Sequence, residues 1–295
     1  MKAEVCLRKR GQLAIFWKSK MDDEAQLPRF RKPPVSEVAV GVQFPGVLTP
    51  VHLGLYWQRV KLRFPKSQVL PPVPPSFETF GAGSITPIIS FGVQMPGGLQ
   101  PRMWFLSEDE NSLIQLQSDR LIFNWRGGLR GSPYPHFDAV YEEFLKAFDE
   151  LKTLAEAEGI TGMEVNQCEV TYVNPLPTAN TGVPLSAPEK IFTLWTDNLS
   201  VEWRQPPEDL SFTVRYPLSD EGSKPFGRLT VTLSSYSMAP PMAPGFQLEM
   251  TARGVPKGTG REGVMAFHDD AHRAIVRCFA AITTPEMHKL WERYQ

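Results

Sequence analysis

The chain has few cysteines and no long apolar run, and no signal peptide is predicted. Its 295 residues include only Cys6, Cys168 and Cys278, an odd and small number that cannot build a disulfide framework. Reduced thiols and a cytoplasmic location are therefore expected. No stretch of 18 apolar residues occurs, so no transmembrane helix is predicted and no membrane association is expected. The apolar run at Leu13–Trp17 is too short for a signal peptide.

A strong net charge is also missing. Apolar residues make up 42% and charged residues 21% of the chain, which is typical of a globular protein, and the formal net charge is −1. Residues 1–20 carry six basic residues and one acidic residue, a net charge of +5, so the other 275 residues sum to −6. A mildly acidic body argues against nucleic-acid binding, because phosphate contacts need a basic face.

Catalytic and cofactor motifs are not found. No Gly-x-Ser-x-Gly motif and no phosphate-binding loop ending in Lys-Ser/Thr occurs. His268 and His272 stand one helical turn apart, a metal-compatible spacing, but no Glu follows His268 and a third ligand is not evident. Residues 254–263, with Lys257 and Arg261, are the nearest approach to an anion-binding loop before a helix. We predict no metal and no cofactor, and nothing indicates an enzyme.

The N-terminal region has its own pattern. Met21 opens an acidic lead-in, so translation beginning at Met21 is an alternative to Met1. Residues 1–34 are predicted to be an N-terminal extension that is partly disordered.

Residues 102–126 carry the clearest structural signal, because they predict two hairpins with one apolar and one polar face. The apolar set is predicted to face the core: Met103, Phe105, Ile114, Leu116, Leu121, Phe123 and Trp125. The polar set is predicted to face outward: Arg102, Trp104, Gln115, Gln117, Arg120, Asn124 and Arg126.

Periodicity and capping signals predict the other elements. These are strands near 38–44, 163–174, 211–216, 228–233 and 246–253, a further candidate strand at 85–93, and helices at 50–64, 138–158, 191–195 and 263–282. Residues 65–101 are rich in Pro and Gly and are predicted to wrap the surface. The helix at 191–195 is predicted from a capping box formed by Ser186 and Glu189.

The order of elements is the same in both halves: strand, helix, antiparallel strands and long helix. It predicts an α+β fold of two layers, with residues 35–160 and 161–295 as two halves packed together as one unit. The order also predicts an internal duplication. The TATA-binding-protein fold and helix-grip folds have this order, and that analogy carries no function.

The polar set is the candidate binding surface, because an indole flanked by guanidinium and amide groups can stack on a planar ligand or a side chain. In the second half, Arg215, Arg228, Glu249 and Arg253 form the comparable face. Two simpler interpretations are an ordinary solvated sheet and a face that is buried against the other half or a second copy.

Several motifs resemble a sporadically distributed family of bacterial proteins with no assigned function. The matching stretches are Val42–Phe44, His52–Trp57, Met103–Leu106, Leu113–Arg120, Asn124–Arg126, Tyr134–Pro135 and Thr283–Trp291. The resemblance covers about residue 30 to the end. It implies no reaction, and the patchy occurrence of the family suggests accessory loci of the defence type.

Together these features favour a non-catalytic binding or regulatory protein that holds another protein, or a second copy of itself, on its polar sheet faces. The main alternative is a small-molecule binder or enzyme with a site between the halves. The further alternative is nucleic-acid binding by the sheet face.

Overall fold

A computed structural model describes residues 27–80, 101–195, 208–220, 224–236 and 244–295. The described strands form one antiparallel sheet in the order β2-β3-β4-β5-β1-β6-β9-β8-β7. The strands are β1 Glu37–Gln43, β2 Lys66–Leu70, β3 Arg102–Leu106, β4 Ser112–Gln117, β5 Arg120–Trp125, β6 Gln167–Pro177, β7 Ser211–Leu218, β8 Gly227–Tyr236 and β9 Gly245–Gly254. The helices are α1 Pro50–Val60, α2 Phe137–Ala157, α3 Thr178–Thr181, α4 Gly260–Ile282 and α5 Pro285–Leu290.

The long helices cover one face of the sheet, and the core lies between them and the sheet. Phe144 and Phe148 on α2 and Phe267 on α4 are fully buried there. Of the apolar set predicted for the core, six residues are buried and Met103 is half-buried. The predicted two-layer α+β fold is therefore confirmed, and so is the direction in which the hairpins face.

The two halves meet in the middle of the sheet, where β1 pairs with β6. In each half the first strand lies beside the last strand, β1 beside β5 and β6 beside β9. The halves therefore share one continuous sheet and one core. A common ancestry of the halves stays a prediction.

Three local predictions differ from the structure. The predicted helix at 191–195 is wrong, because only Pro188–Lys190 form a 3-10 turn and Phe192 makes a β-bridge to Thr283. The predicted capping box is wrong too, since Ala187 takes the cap position without a side-chain bond. Residues 66–70, predicted only to wrap the surface, form edge strand β2.

The ends of the described chain lie close together. Phe30 forms a bridge with Arg293 and packs edge-on against Phe279 and Trp291. Residues 27–34 of the predicted extension thus contact the C-terminal helices, while residues 1–26 and the candidate strand at 85–93 lie outside the described residues. No helix in the described ranges is long and apolar enough to cross a membrane.

Candidate functional site

All seven residues of the polar set lie on the sheet face opposite the helices, which we call the polar sheet face. Strand register brings them together, because Trp104 pairs with Gln115 and Gln117 pairs with Arg120. The alternation of side chains along β3, β4 and β5 fixes this placement. Their role in binding stays a prediction.

Five of the seven form one connected group, the Trp104 cluster, which consists of Arg102, Trp104, Gln115, Asn124 and Arg126. Two guanidinium groups lie over the indole of Trp104, with the Cζ atoms of Arg102 and Arg126 at 5.6 Å and 5.4 Å from the ring centroid. The indole Nε1 donates to Gln115 Oε1 at 3.0 Å, and Gln115 Nε2 donates to Asn124 Oδ1 at 2.8 Å. Shared hydrogen bonds of this kind fix the orientation of each group.

Glu37 ends this chain of hydrogen bonds and was missed in the sequence. Asn124 Nδ2 donates to Glu37 Oε1 at 2.6 Å. Burial raises the pKa of the Glu37 carboxyl, and the bond from Asn124 partly offsets that effect. Its alternation with the core residues Val38 and Val40 was a signal that it shares the polar sheet face.

Residues 71–80, which we call the proline segment, cross the middle of the polar sheet face. Gln117 Nε2 donates to the carbonyl oxygen of Val73 at 2.8 Å, and the N–H of Val73 donates to Gln117 Oε1 at 3.1 Å. Arg120 Nη2 donates to the carbonyl oxygen of Pro74 at 2.9 Å. The N–H of Ser76 donates to Gln43 Oε1 at 3.0 Å. Side chains of three strands thus hold the main chain of this segment.

The prediction that the polar set is open to solvent is therefore wrong for Gln117, Arg120 and Asn124. These side chains keep only 3%, 9% and 3% of their exposure, whereas Trp104, Arg102 and Arg126 stay half-buried. The proline segment provides part of this cover. Burial lowers the pKa of the Arg120 guanidinium, and Asp119 at 3.6 Å opposes that effect.

The second half contributes two arginines to the same site. Arg228 Nη1 donates to Glu78 Oε2 at 2.5 Å, and Arg228 Nη2 donates to the carbonyl oxygen of Thr79 at 2.9 Å. Arg253 lies 3.9 Å from Glu78 and is bonded to Glu169. Arg215 and Glu249, predicted with them, lie on the same face, exposed and half-buried respectively. Glu78 joins the proline segment to this end of the sheet.

The two histidines considered for a metal lie in the helix layer and already have partners. His268 Nε2 donates to the carbonyl oxygen of Gly41 at 3.0 Å, and His272 Nδ1 is 3.0 Å from the hydroxyl of Tyr172. Burial lowers the pKa of each to about 4. Within the described ranges, no group of three His, Cys, Asp or Glu could hold a metal.

Carboxylates neutralise the two basic side chains of the candidate anion loop. Lys257 Nζ lies 2.7 Å from Asp220 and 2.6 Å from Asp270, and Arg261 binds Asp149 at 3.0 Å. The buried thiol of Cys168 has a raised pKa because of desolvation, as expected for a core cysteine rather than a nucleophile.

A cavity of about 1420 Å³ lies in the helix layer between α2 and α4. Its lining includes Tyr134, Phe137 and Tyr172 with His272, whose ring stacks on Phe137 at 4.0 Å. Tyr134 and Tyr172 join their hydroxyls at 3.0 Å. The sequence predicted the alternative site between the halves and near Trp104. This cavity is lined by residues of both halves, but it lies in the helix layer and not near Trp104.

Comparison with known proteins gives no match: no family model, no curated protein and no solved structure is similar to this chain.

Proposed function

We propose that this protein is a non-catalytic binding or regulatory protein that holds a partner polypeptide on its polar sheet face. One observation carries the proposal. The carboxamide of Gln117 bonds both the N–H and the carbonyl oxygen of Val73, so this face already binds an extended main chain.

Such a contact suits a polypeptide better than other ligands. A carboxamide offers one acceptor and two donors in one plane, which matches the donor and acceptor that every non-proline residue of a peptide carries. Gln43 and Arg120 contribute two more bonds to main-chain atoms. A face that forms hydrogen bonds with main-chain groups can hold extended segments of varied sequence.

The Trp104 cluster supplies the neighbouring contact area. Its indole and its two arginines are only half-buried, and residues of these types contribute most to binding where a partner covers them. The arginines Arg102 and Arg126 fix the ring, so little side-chain freedom is lost on binding.

The test compares partner capture by the wild-type chain with capture by Trp104→Ala and Arg126→Ala variants. Each captured polypeptide is then purified, and its affinity is measured by calorimetry. We expect at least a tenfold loss of affinity in both variants, about 1.4 kcal/mol or more. Lys61→Ala, at an exposed position after α1, is the control and should bind normally. Equal binding by all four proteins, or capture of no polypeptide, would overturn the proposal.

A second candidate function is small-molecule binding in the helix-layer cavity, favoured by its aromatic and polar lining. A thermal-shift screen with nucleotides and metabolites tests it, because a ligand that binds only the folded state raises the melting temperature. A hit whose shift disappears in Tyr134→Phe or His272→Gln would assign the ligand to this cavity. The absence of any stabilising ligand would count against this candidate.

The proposal includes a setting. The resemblance of the motifs suggests a bacterial accessory locus of the defence type, and the small number of cysteines favours a cytoplasmic location. The partner is another protein or a second copy of this chain.

A further inference from the structure

The proline segment resembles a bound ligand more than a structural strand. Four of its residues are prolines, which have no N–H to give to a strand ladder. The main-chain hydrogen bonds described above for Val73, Pro74, Ser76 and Thr79 all go to side chains of the sheet. The segment crosses from β4 to β8 instead of pairing with an edge.

Apolar burial holds the segment only weakly. Phe77 and Phe80 keep 54% and 39% of their exposure, and Pro74 and Pro75 are exposed as well. Apolar side chains left in water add little hydrophobic stabilisation, so the polar contacts carry the attachment. Segments with few buried contacts open at a low cost in free energy.

The strongest of these polar contacts involves a carboxylate. Arg228 binds both the Glu78 carboxylate and the Thr79 carbonyl oxygen, which is the paired recognition that a guanidinium provides. Arg253 is shared between Glu78 and Glu169. Without Glu78, this part of the polar sheet face would have Arg120, Arg228 and Arg253 against Glu169 and Asp119, an excess of positive charge.

We propose that the partner recognised by this face is an extended polypeptide carrying an acidic residue, which displaces the proline segment and places its carboxylate on Arg228 and Arg253. This inference rests on the proposed function and specifies the chemistry of the partner. The proline segment then occupies the partner's place within the free protein. Gln117, Arg120 and Gln43 hold its main chain at residues 73–76, and Glu78 supplies the acidic side chain.

The test uses the full chain carrying Glu78→Gln, which weakens the internal contact, and a fluorescein-labelled peptide with the sequence of residues 71–80. Fluorescence anisotropy should show that this variant binds the peptide more tightly than the wild type does, because the internal segment competes less well. Affinity should fall at least about tenfold when the peptide glutamate is replaced by glutamine, or when the protein also carries Arg228→Ala. Arg59→Ala, at an exposed position on α1 in the helix layer, should change affinity little.

A second measurement needs no substitution. In isotope-labelled wild-type protein, excess unlabelled peptide should speed hydrogen exchange at the amides of Val73 and Ser76, whose bonds to Gln117 and Gln43 it replaces. Unchanged exchange at millimolar peptide would overturn the inference.

The outcomes separate the two proposals. Equal binding of the glutamate and glutamine peptides, or full binding by Arg228→Ala, would overturn the acidic preference while polypeptide binding sensitive to Trp104→Ala still stands. Binding of a single-stranded oligonucleotide in place of the peptide would overturn the inference. Loss of polypeptide capture altogether would overturn the proposed function as well.

Discussion

Gln117 and Val73 are joined by two hydrogen bonds, one in each direction, between a side-chain amide on β4 and a main-chain unit of the proline segment. The two residues are 44 positions apart in the chain. Because of this contact, the polar sheet face is not an open surface but already holds an extended segment of the chain.

Replacing Gln117 with Ala should loosen the proline segment at Val73. The substitution removes both bonds to Val73, and water can reach the freed groups because Val73 is only half-buried. We expect a loss of about 1 kcal/mol in the free energy of unfolding, measured in urea, together with faster hydrogen exchange at Val73. Gln68→Ala, at an exposed position on β2, is the matched control. Equal effects of the two substitutions would contradict the role given to Gln117.

Two isoleucine substitutions can test which side of the hairpins faces the core. Ile114 on β4 is fully buried under the helices, whereas Ile122 on β5 lies half-buried on the polar sheet face. Ile114→Ala should cost about 2–5 kcal/mol, because it leaves a cavity in the core. Ile122→Ala should cost clearly less in the same urea titration. The reverse order would mean that the register of β4 and β5 is wrong.

Two glycines should respond in opposite directions. Gly254 pairs with Gly227 at the end of β9, and a Cβ atom there would lie 2.2 Å from the Phe226 carbonyl oxygen and 2.8 Å from the Phe267 ring. Gly54 lies in α1 with open space around it. Thermal unfolding of Gly254→Ala should therefore show a lower melting temperature. Gly54→Ala should stabilise the protein by roughly 1 kcal/mol, because alanine favours a helix. A neutral Gly254→Ala would contradict this close strand contact.

Acid should destabilise the protein through His268. Its folded pKa is lowered to about 4 from 6.5, so between these values the unfolded chain binds a proton that the folded chain excludes. The stabilisation from the neutral ring is complete above the unfolded pKa and is lost as the pH falls. Between pH 7 and pH 5 the loss should be roughly 2 kcal/mol from this residue.

The variant His268→Gln isolates that contribution, since an amide can still donate to the Gly41 carbonyl oxygen. Urea unfolding at both pH values should show a smaller loss of stability on acidification in the variant than in the wild type. The same loss in both proteins would show that His268 does not carry the effect.

The sequence predicted those parts of the fold that depend on the alternation of apolar and polar residues along a single strand or helix. Alternation in residues 102–126 assigned the core side and the polar side correctly, because successive side chains of a strand point to opposite faces of the sheet. The seven polar residues were thereby placed on one face without any knowledge of the tertiary structure.

The path of the proline segment could not be predicted in this way. Arg228 and Glu78 are 150 positions apart in the chain. The local sequence of a proline-rich stretch does not determine which surface of the fold the stretch crosses. Tertiary contacts also overrode a local signal near Phe192, where Thr193 N–H donates to the carbonyl oxygen of Ile282 and the predicted helix does not form. The role of Glu37 appeared only once its bond from Asn124 was known.

The most direct test of a polypeptide partner on the polar sheet face is photocrosslinking in host cells. A photoreactive residue replaces Trp104 in one protein and Leu62, which is 94% exposed just after α1, in the other. The account predicts that position 104 crosslinks to a discrete polypeptide, identified by mass spectrometry, and that position 62 does not. Crosslinks from position 62 alone, or none from position 104, would contradict it.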